Sequence, residues 1–189
     1  MAYVDDAVFI PGKGAVLIAP KDTDCPELTV ITKWLEDTTK NAGTFTPVGY
    51  TALDSLPGIN SDISGGEVKG VWENPELRKT KTESKDSVVV KYAQWTKEPL
   101  QHRFGRDGAV DTTKKQFSIP ANYVPVEVSL LIVFIDSSGP LVLHYRFASS
   151  SPDGSIETSN EDFMKMGVKY DILQITGKSK GTIMHKDMV

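Results

Sequence analysis

The 189-residue chain has a single cysteine, Cys25. One thiol cannot form an internal disulfide, a Cys-rich zinc site or a CxxC redox pair. No Asn-x-Ser/Thr sequon occurs, and the first thirty residues lack a basic stretch followed by an apolar one, so nothing points to secretion. Long hydrophobic runs are missing as well. The longest, Leu130 to Ile135, is far too short to span a bilayer. These absences predict a protein made and folded in a reducing cytoplasm, without membrane insertion. Basic excess is lacking too, with 21 Lys and Arg against 25 Asp and Glu and a formal charge of −4. Phosphate neutralisation supplies most of the affinity of a nucleic-acid binder, so this balance argues against one.

Catalytic patterns are equally scarce. Gly177-Lys178-Ser179 looks like the end of a phosphate-binding loop, but Ile172 stands where that loop needs glycine. No GxSxG elbow occurs. His102, His144 and His185 lie far apart, with no HExxH or HxH spacing, and read as structural or exposed side chains. Asp5-Asp6 and Glu161-Asp162 sit in polar context, as a solvated face or a helix start does. Arg78, Lys79, Lys81, Lys85 and Lys91 are interleaved with Glu76, Glu83 and Asp86, which describes a solvated or inter-subunit strand face. The expectation is a non-enzyme with no catalytic residue, cofactor or metal.

What is present reads mainly as strand. Ala15–Ala19 is a short apolar run stopped by Pro20. Thr44–Ala52 alternates, with Val48, Tyr50 and Ala52 on one face. Ser87–Trp95 carries Val88-Val89-Val90, and Gln116–Ile119 is a short candidate. Val126–Ile135 is apolar on both faces, as a central buried strand is. Asp136–Pro140 is a turn by composition, after which Leu141, Leu143, Tyr145 and Phe147 share a face. Ser155–Thr158 is weak and Val168–Ile175 strong. Helix signals are few. Thr96 starts a short helix through Phe104, stopped by Gly105, with Leu100 and Phe104 as its apolar stripe. Leu28–Leu35 is ambiguous between helix and strand, and Ser159 or Asn160 caps a single turn. Three stretches lack core signals: 1–14, 54–74 around Gly65-Gly66, and 177–189. They suit equally arms that order against neighbouring copies and plain disorder of the kind common at termini.

One ordered set of segments is more specific. Pro47-Val48-Gly49-Tyr50-Thr51 leads through Leu56-Pro57-Gly58 into Ser64-Gly65-Gly66-Glu67-Val68-Lys69-Gly70-Val71-Trp72-Glu73-Asn74 and then Leu77-Arg78. This order resembles the major tail proteins of long, non-contractile-tailed bacteriophages, especially those of actinobacteria. The start at Asp5-Asp6-Ala7-Val8 is similar to several of them. The likeness is most specific over 45–105, weaker at 1–10 and 160–175, and carried by order alone over 106–160.

The resemblance implies a single tail tube domain over 1–189. Its fold would be a β-sandwich or barrel-like pair of sheets with one short outer helix. It implies six copies joined in a ring and rings stacked into a tube for the genome and tape-measure protein. A tail terminator and distal tail or tip proteins would be the other partners, and DNA would pass without specific binding. On this view 1–14 and 177–189 are terminal arms and 54–74 is a long inter-subunit loop. Inter-subunit contacts are expected at Asp5, Asp6, Leu56, Pro57, Gly65, Gly66, Glu67, Lys69, Trp72 and Arg78. For Trp72 the residue context favours a core anchor at the loop base over a subunit contact. The alternative function is a β-sandwich binding module, a phage decoration or host-surface recognition protein, with Trp34, Trp72 and Trp95 as stacking platforms. A hydrolase built on Asp107, Asp111 and Asp153 ranks last, because no base or metal ligand pairs with them.

Overall fold

The structure is a computed structural model that describes residues 8–80 and 82–188. In chain order its elements are β1 (Lys13–Pro20), α1 (Leu28–Trp34), β2 (Thr46–Pro47), β3 (Gly58–Ser64), β4 (Val68–Val71), β5 (Asn74–Lys79), β6 (Glu83–Tyr92), α2 (Lys97–Phe104), β7 (Ala109–Asp111), β8 (Gln116–Ser118), β9 (Glu127–Asp136), β10 (Gly139–Glu157), β11 (Lys165–Ile172) and β12 (Gly181–Met184). The main sheet runs β2-β1-β9-β10-β11-β6-β3, all antiparallel, with β12 also on β10. It does not close into a barrel. The mainly β, sandwich-like expectation therefore holds, with two helices among the described residues in place of one.

The sheet divides into two layers along β10. The first part of this 19-residue strand lies between β9 and β12, and its second part pairs with β11. Bulges fall between Tyr145 and Ala148 and between Asp153 and Glu157. A bulge bends its strand and shifts the alternation of side chains. Leu141, Leu143 and Tyr145 face the main core, but after the first bulge Ala148 takes that side. Phe147, expected on the same face as Leu141, lies instead at the surface under the Lys21 ammonium, 3.8 Å from its ring centre.

Two cores result. The larger lies between the layers and includes Val16, Val88, Val90, Leu130, Ile132, Met166 and Val168. The smaller lies on the other face of β1, β9 and β10, where Leu17, Leu131, Val133 and Val142 pack against Ile31 and Trp34 of α1 and against Phe45. Strand β9 thus buries both faces, as its unbroken apolar run predicts. Helix α1 forms because Ile31 and Trp34 bring one face onto the sheet, and Trp34 Nε1 donates to the Lys40 carbonyl at 2.9 Å, tying down the next loop.

Several boundaries differ from expectation. Thr44–Ala52 contributes only the two residues of β2, because Gly49 at φ +147° turns the chain and sends Tyr50 outward, with its amide donating to Gln94 Oε1 at 3.0 Å. Strand β6 ends at Tyr92, short of Trp95, and β11 runs three residues earlier than Val168–Ile175. Ser159 caps no helix; its hydroxyl accepts from the Glu161 amide at 3.1 Å in a bend. On α2 the buried residues are Pro99, His102 and Arg103, while Leu100 and Phe104 are only half-buried. Polar contacts hold this helix. The Arg103 guanidinium donates to the carbonyls of Asp153, Gly154 and Gly167, each at 2.7 Å, across the second bulge of β10. His102 Nδ1 is 2.8 Å from the Tyr170 hydroxyl, which is 2.8 Å from that of Tyr92.

Arg103→Met is expected to cost about 3 kcal/mol, since the buried Gly167 carbonyl and the part-buried carbonyls of Asp153 and Gly154 lose charged donors and lysine cannot reproduce the fork; urea unfolding of the Met and Lys variants measures this. Burial lowers the pKa of His102 and of His144 to about 4. The unfolded chain then binds more protons than the folded one below about pH 6.5, so stability falls as pH drops from about 6.5 to about 4. His102 alone should contribute about 2–3 kcal/mol to that loss. Urea midpoints for the wild type and His102→Gln across this range should give a shallower slope for the variant.

Candidate assembly surface

The stretch expected as a loop at 54–74 is largely strand. Gly58–Ser64 pairs with Val89–Glu83 as β3 on the edge of the main sheet. Gly65 at φ +82° and Gly66 at φ +76° then break the strand in a conformation that L side chains rarely adopt. Pairing resumes beyond them: the Thr80 amide and hydroxyl both donate to the Glu67 carbonyl, at 2.8 and 3.1 Å, and Val68 lies opposite Lys79 and Lys69 opposite Arg78. Ser64 opposite Glu83 and Val68 opposite Lys79 share one register. Strands β3 to β6 are therefore one long hairpin, and its β4–β5 end is a two-stranded ribbon turning at Trp72-Glu73.

Nothing in the described residues covers this ribbon. Every residue of β3 and β4 is exposed, and the outer edges of β3, β4 and β5 have no strand partner among the described residues. Ile59, Ile63, Val68, Val71 and Leu77 are exposed, and Trp72 at the turn is 97% exposed. Two strands alone are marginally stable in water, and open edges invite pairing with another chain.

A groove of about 740 Å³ lies at the other end of β6, lined by Tyr50, Leu53, Asp54, Ala93, Phe163 and Lys165 among others. Leu53 and Phe163 are 79% and 78% exposed. Lys165 is buried beneath them, paired with Asp54 and, at 2.6 Å, with Asp162. Its hydrogen bonds to Asp162 and Asp54 raise its pKa, and the same contact lowers that of Asp162.

A family model described as phage tail tube protein matches residues 1–189. The chain belongs to the phage tail tube protein family. No curated protein matches it. As a tail tube protein it is a structural component of the phage virion, one subunit of a multi-subunit tube that assembles with other tail proteins.

The residues named from sequence as contacts fall into three groups. Gly65, Gly66, Glu67, Lys69, Trp72 and Arg78 come together on the ribbon and its base. Leu56 and Pro57, exposed and half-buried respectively, lie where the chain leaves the groove for β3. Asp5 and Asp6 lie outside the described residues, as does Lys81 of the basic stretch. Trp72 is no core anchor, since the ribbon carries it away from both cores; Trp34 takes that role at 4% exposure. This removes Trp34 from any stacking platform. Asp107 pairs with Arg106, and Asp111 accepts from the amides of Thr113 and Lys114 in the β7–β8 turn, so each has a local structural partner.

Sequence reading missed the groove. Tyr50, Leu53 and Phe163 are scattered, and only their joint exposure marks them. The terminal segments lie partly on the body of their own chain. The Ile10 amide donates to Asp136 Oδ2 at 3.0 Å, β12 pairs with β10, and Lys180 holds Asp86 at 2.6 Å.

The two tryptophans give a direct contrast. Trp72→Ala should leave the unfolding free energy of the monomer within about 0.5 kcal/mol of wild type. Trp34→Ala should cost about 3–5 kcal/mol. Chemical denaturation of both variants in dilute solution measures the difference.

Proposed function

We propose that six copies of this chain join into a ring and that rings stack into the tail tube through which the genome and tape-measure protein leave the virion. The observation that carries this reading is the exposed hairpin with its unpaired edges. A soluble monomer gains nothing from a ribbon that shows apolar side chains and free backbone groups to water. A subunit gains from it twice, by hydrogen-bonding edge to edge with a neighbour and by burying those side chains. Head-to-tail contacts that close around an axis make a ring, and contacts along the axis make a polar filament.

The contacts are assigned to Leu56, Pro57, Gly65, Gly66, Glu67, Lys69, Trp72 and Arg78, with Asp5 and Asp6 in the N-terminal arm and 177–189 as the C-terminal arm, all within one domain. A tail terminator and distal tail or tip proteins would close the two ends of the tube. The net charge of −4 suits a conduit, because a carboxylate-bearing lumen repels phosphates and lets DNA slide without specific binding. No catalytic step is needed for any of this.

Negative-stain electron microscopy of the purified protein over a concentration series, paired with light scattering, tests the reading. Hollow tubes with six subunits per ring are expected. Replacing 65–82 by Asn-Gly should close the shortened hairpin on the Ser64–Glu83 pair and leave a folded monomer that forms no tubes. Tubes at wild-type yield from that variant would show that the ribbon is not a tube contact.

A further inference from the structure

The two ends of strand β6 present surfaces that complement one another. At the Tyr92 end is the groove, whose mouth is formed by Tyr50, Leu53 and Phe163, each more than three-quarters exposed. Grouped apolar side chains of this size mark an interaction site more often than isolated ones do. Beside them the lining carboxylates Asp54 and Asp162 share the single buried ammonium of Lys165, so the rim carries a net negative charge, and the exposed Glu161 precedes Asp162 in the chain. At the Glu83 end is the ribbon, tipped by Trp72. On it Lys69 and Arg78 stand directly opposite one another, and neither has a carboxylate partner among the described residues. Like charges on one rung are unfavourable unless an anionic surface meets them.

We propose that Trp72 of one copy seats in the Tyr50–Leu53–Phe163 groove of a second copy, with Lys69 and Arg78 against the acidic rim formed by Asp54 and Asp162. This rests on the tube reading and names the partner of the ribbon within it. Three features favour a second copy as the occupant. The charges are opposite, cationic on the ribbon and acidic at the rim. The apolar tip matches an apolar groove, and a tryptophan entering a pocket ringed by polar groups is the usual anchor of a protein interface. Finally, tip and groove lie at opposite ends of the same strand, so a chain cannot fill its own groove, while one displacement along β6 serves every copy in a row. From Gly65 to Trp72 the ribbon reaches about 25 Å at about 3.3 Å per residue, long enough to cross from one copy into the next.

The test uses full-length chains in which Cys25→Ser removes the native thiol. Protein carrying Trp72→Cys is mixed with protein carrying Phe163→Cys and oxidised gently. Disulfide-linked pairs are expected at about tenfold or more the yield obtained when Trp72→Cys is mixed with Ile119→Cys, an exposed site elsewhere, because docking raises the local thiol concentration. Equal yields would overturn the proposal. So would preferential linkage of Phe163→Cys to Asp6→Cys, which would assign the groove to the N-terminal segment. Phe163→Asp, at a side chain exposed in the monomer, should keep the wild-type Tm and abolish assembly. Tubes formed by Phe163→Asp at wild-type yield would overturn the docking and leave the tube reading standing. Linked pairs in a protein that never forms hollow assemblies would support the docking and sink the tube reading.

Discussion

The architecture depends on how β10 changes partners. A regular strand of its length would hold one flat sheet with one covered face. The bulges after Tyr145 and after Asp153 let the strand leave β9 and β12 and continue against β11. The two layers can then enclose the larger core, and β9 is free to bury its other face under α1. A bulge leaves backbone groups without ladder partners, which is costly when they are buried. Arg103 meets that cost by placing three N–H donors on the carbonyls of Asp153, Gly154 and Gly167. Helix α2 is therefore less an outer covering than a clasp, and its apparent apolar stripe at Leu100 and Phe104 misses its most important contact.

How much of this was legible in the chain follows from which signals are local. Strands β1, β6, β9 and β11 and the first part of β10 announce themselves because burial on one or both faces imposes apolar alternation or runs. The second part of β10 does not, since Ser149-Ser150-Ser151-Pro152-Asp153-Gly154 has the composition of a loop. Its strand character comes from pairing with β11, a non-local partner. The ribbon was hidden for the opposite reason. With both faces exposed, burial imposes no alternation on β3 and β4, and Gly65-Gly66 between them reads as a loop centre. Only the register shared by Ser64–Glu83 and Val68–Lys79 reveals a single hairpin.

The positions named from sequence as contacts cluster on one element, but the element itself and the exposure of its parts were not legible. Ordered segments pointed to 56–78, and six of the named positions do lie on the ribbon or its base. Trp72 was misjudged because a large aromatic residue is a core residue in most contexts, and its role here depends on a turn that projects it into solvent. The groove was not legible at all. Tyr50 leaves the sheet only because Gly49 turns the chain, and Phe163 reaches the same place from a bend more than a hundred residues away.

An exposed ribbon also bears on how premature assembly is restrained. Two strands with open edges have little stability of their own, so the free subunit holds its β4–β5 end by a few backbone hydrogen bonds and the Glu67–Thr80 contact. In the docking proposed above, ordering that end against a neighbour would cost conformational entropy and so offset part of the gain from burying Trp72 and pairing an edge. The first contact between two free copies would consequently be weak. A copy arriving where ribbons are already held in place meets an ordered partner and loses less on binding. A ribbon that docks in the proposed way would therefore favour growth on an existing end over spontaneous nucleation.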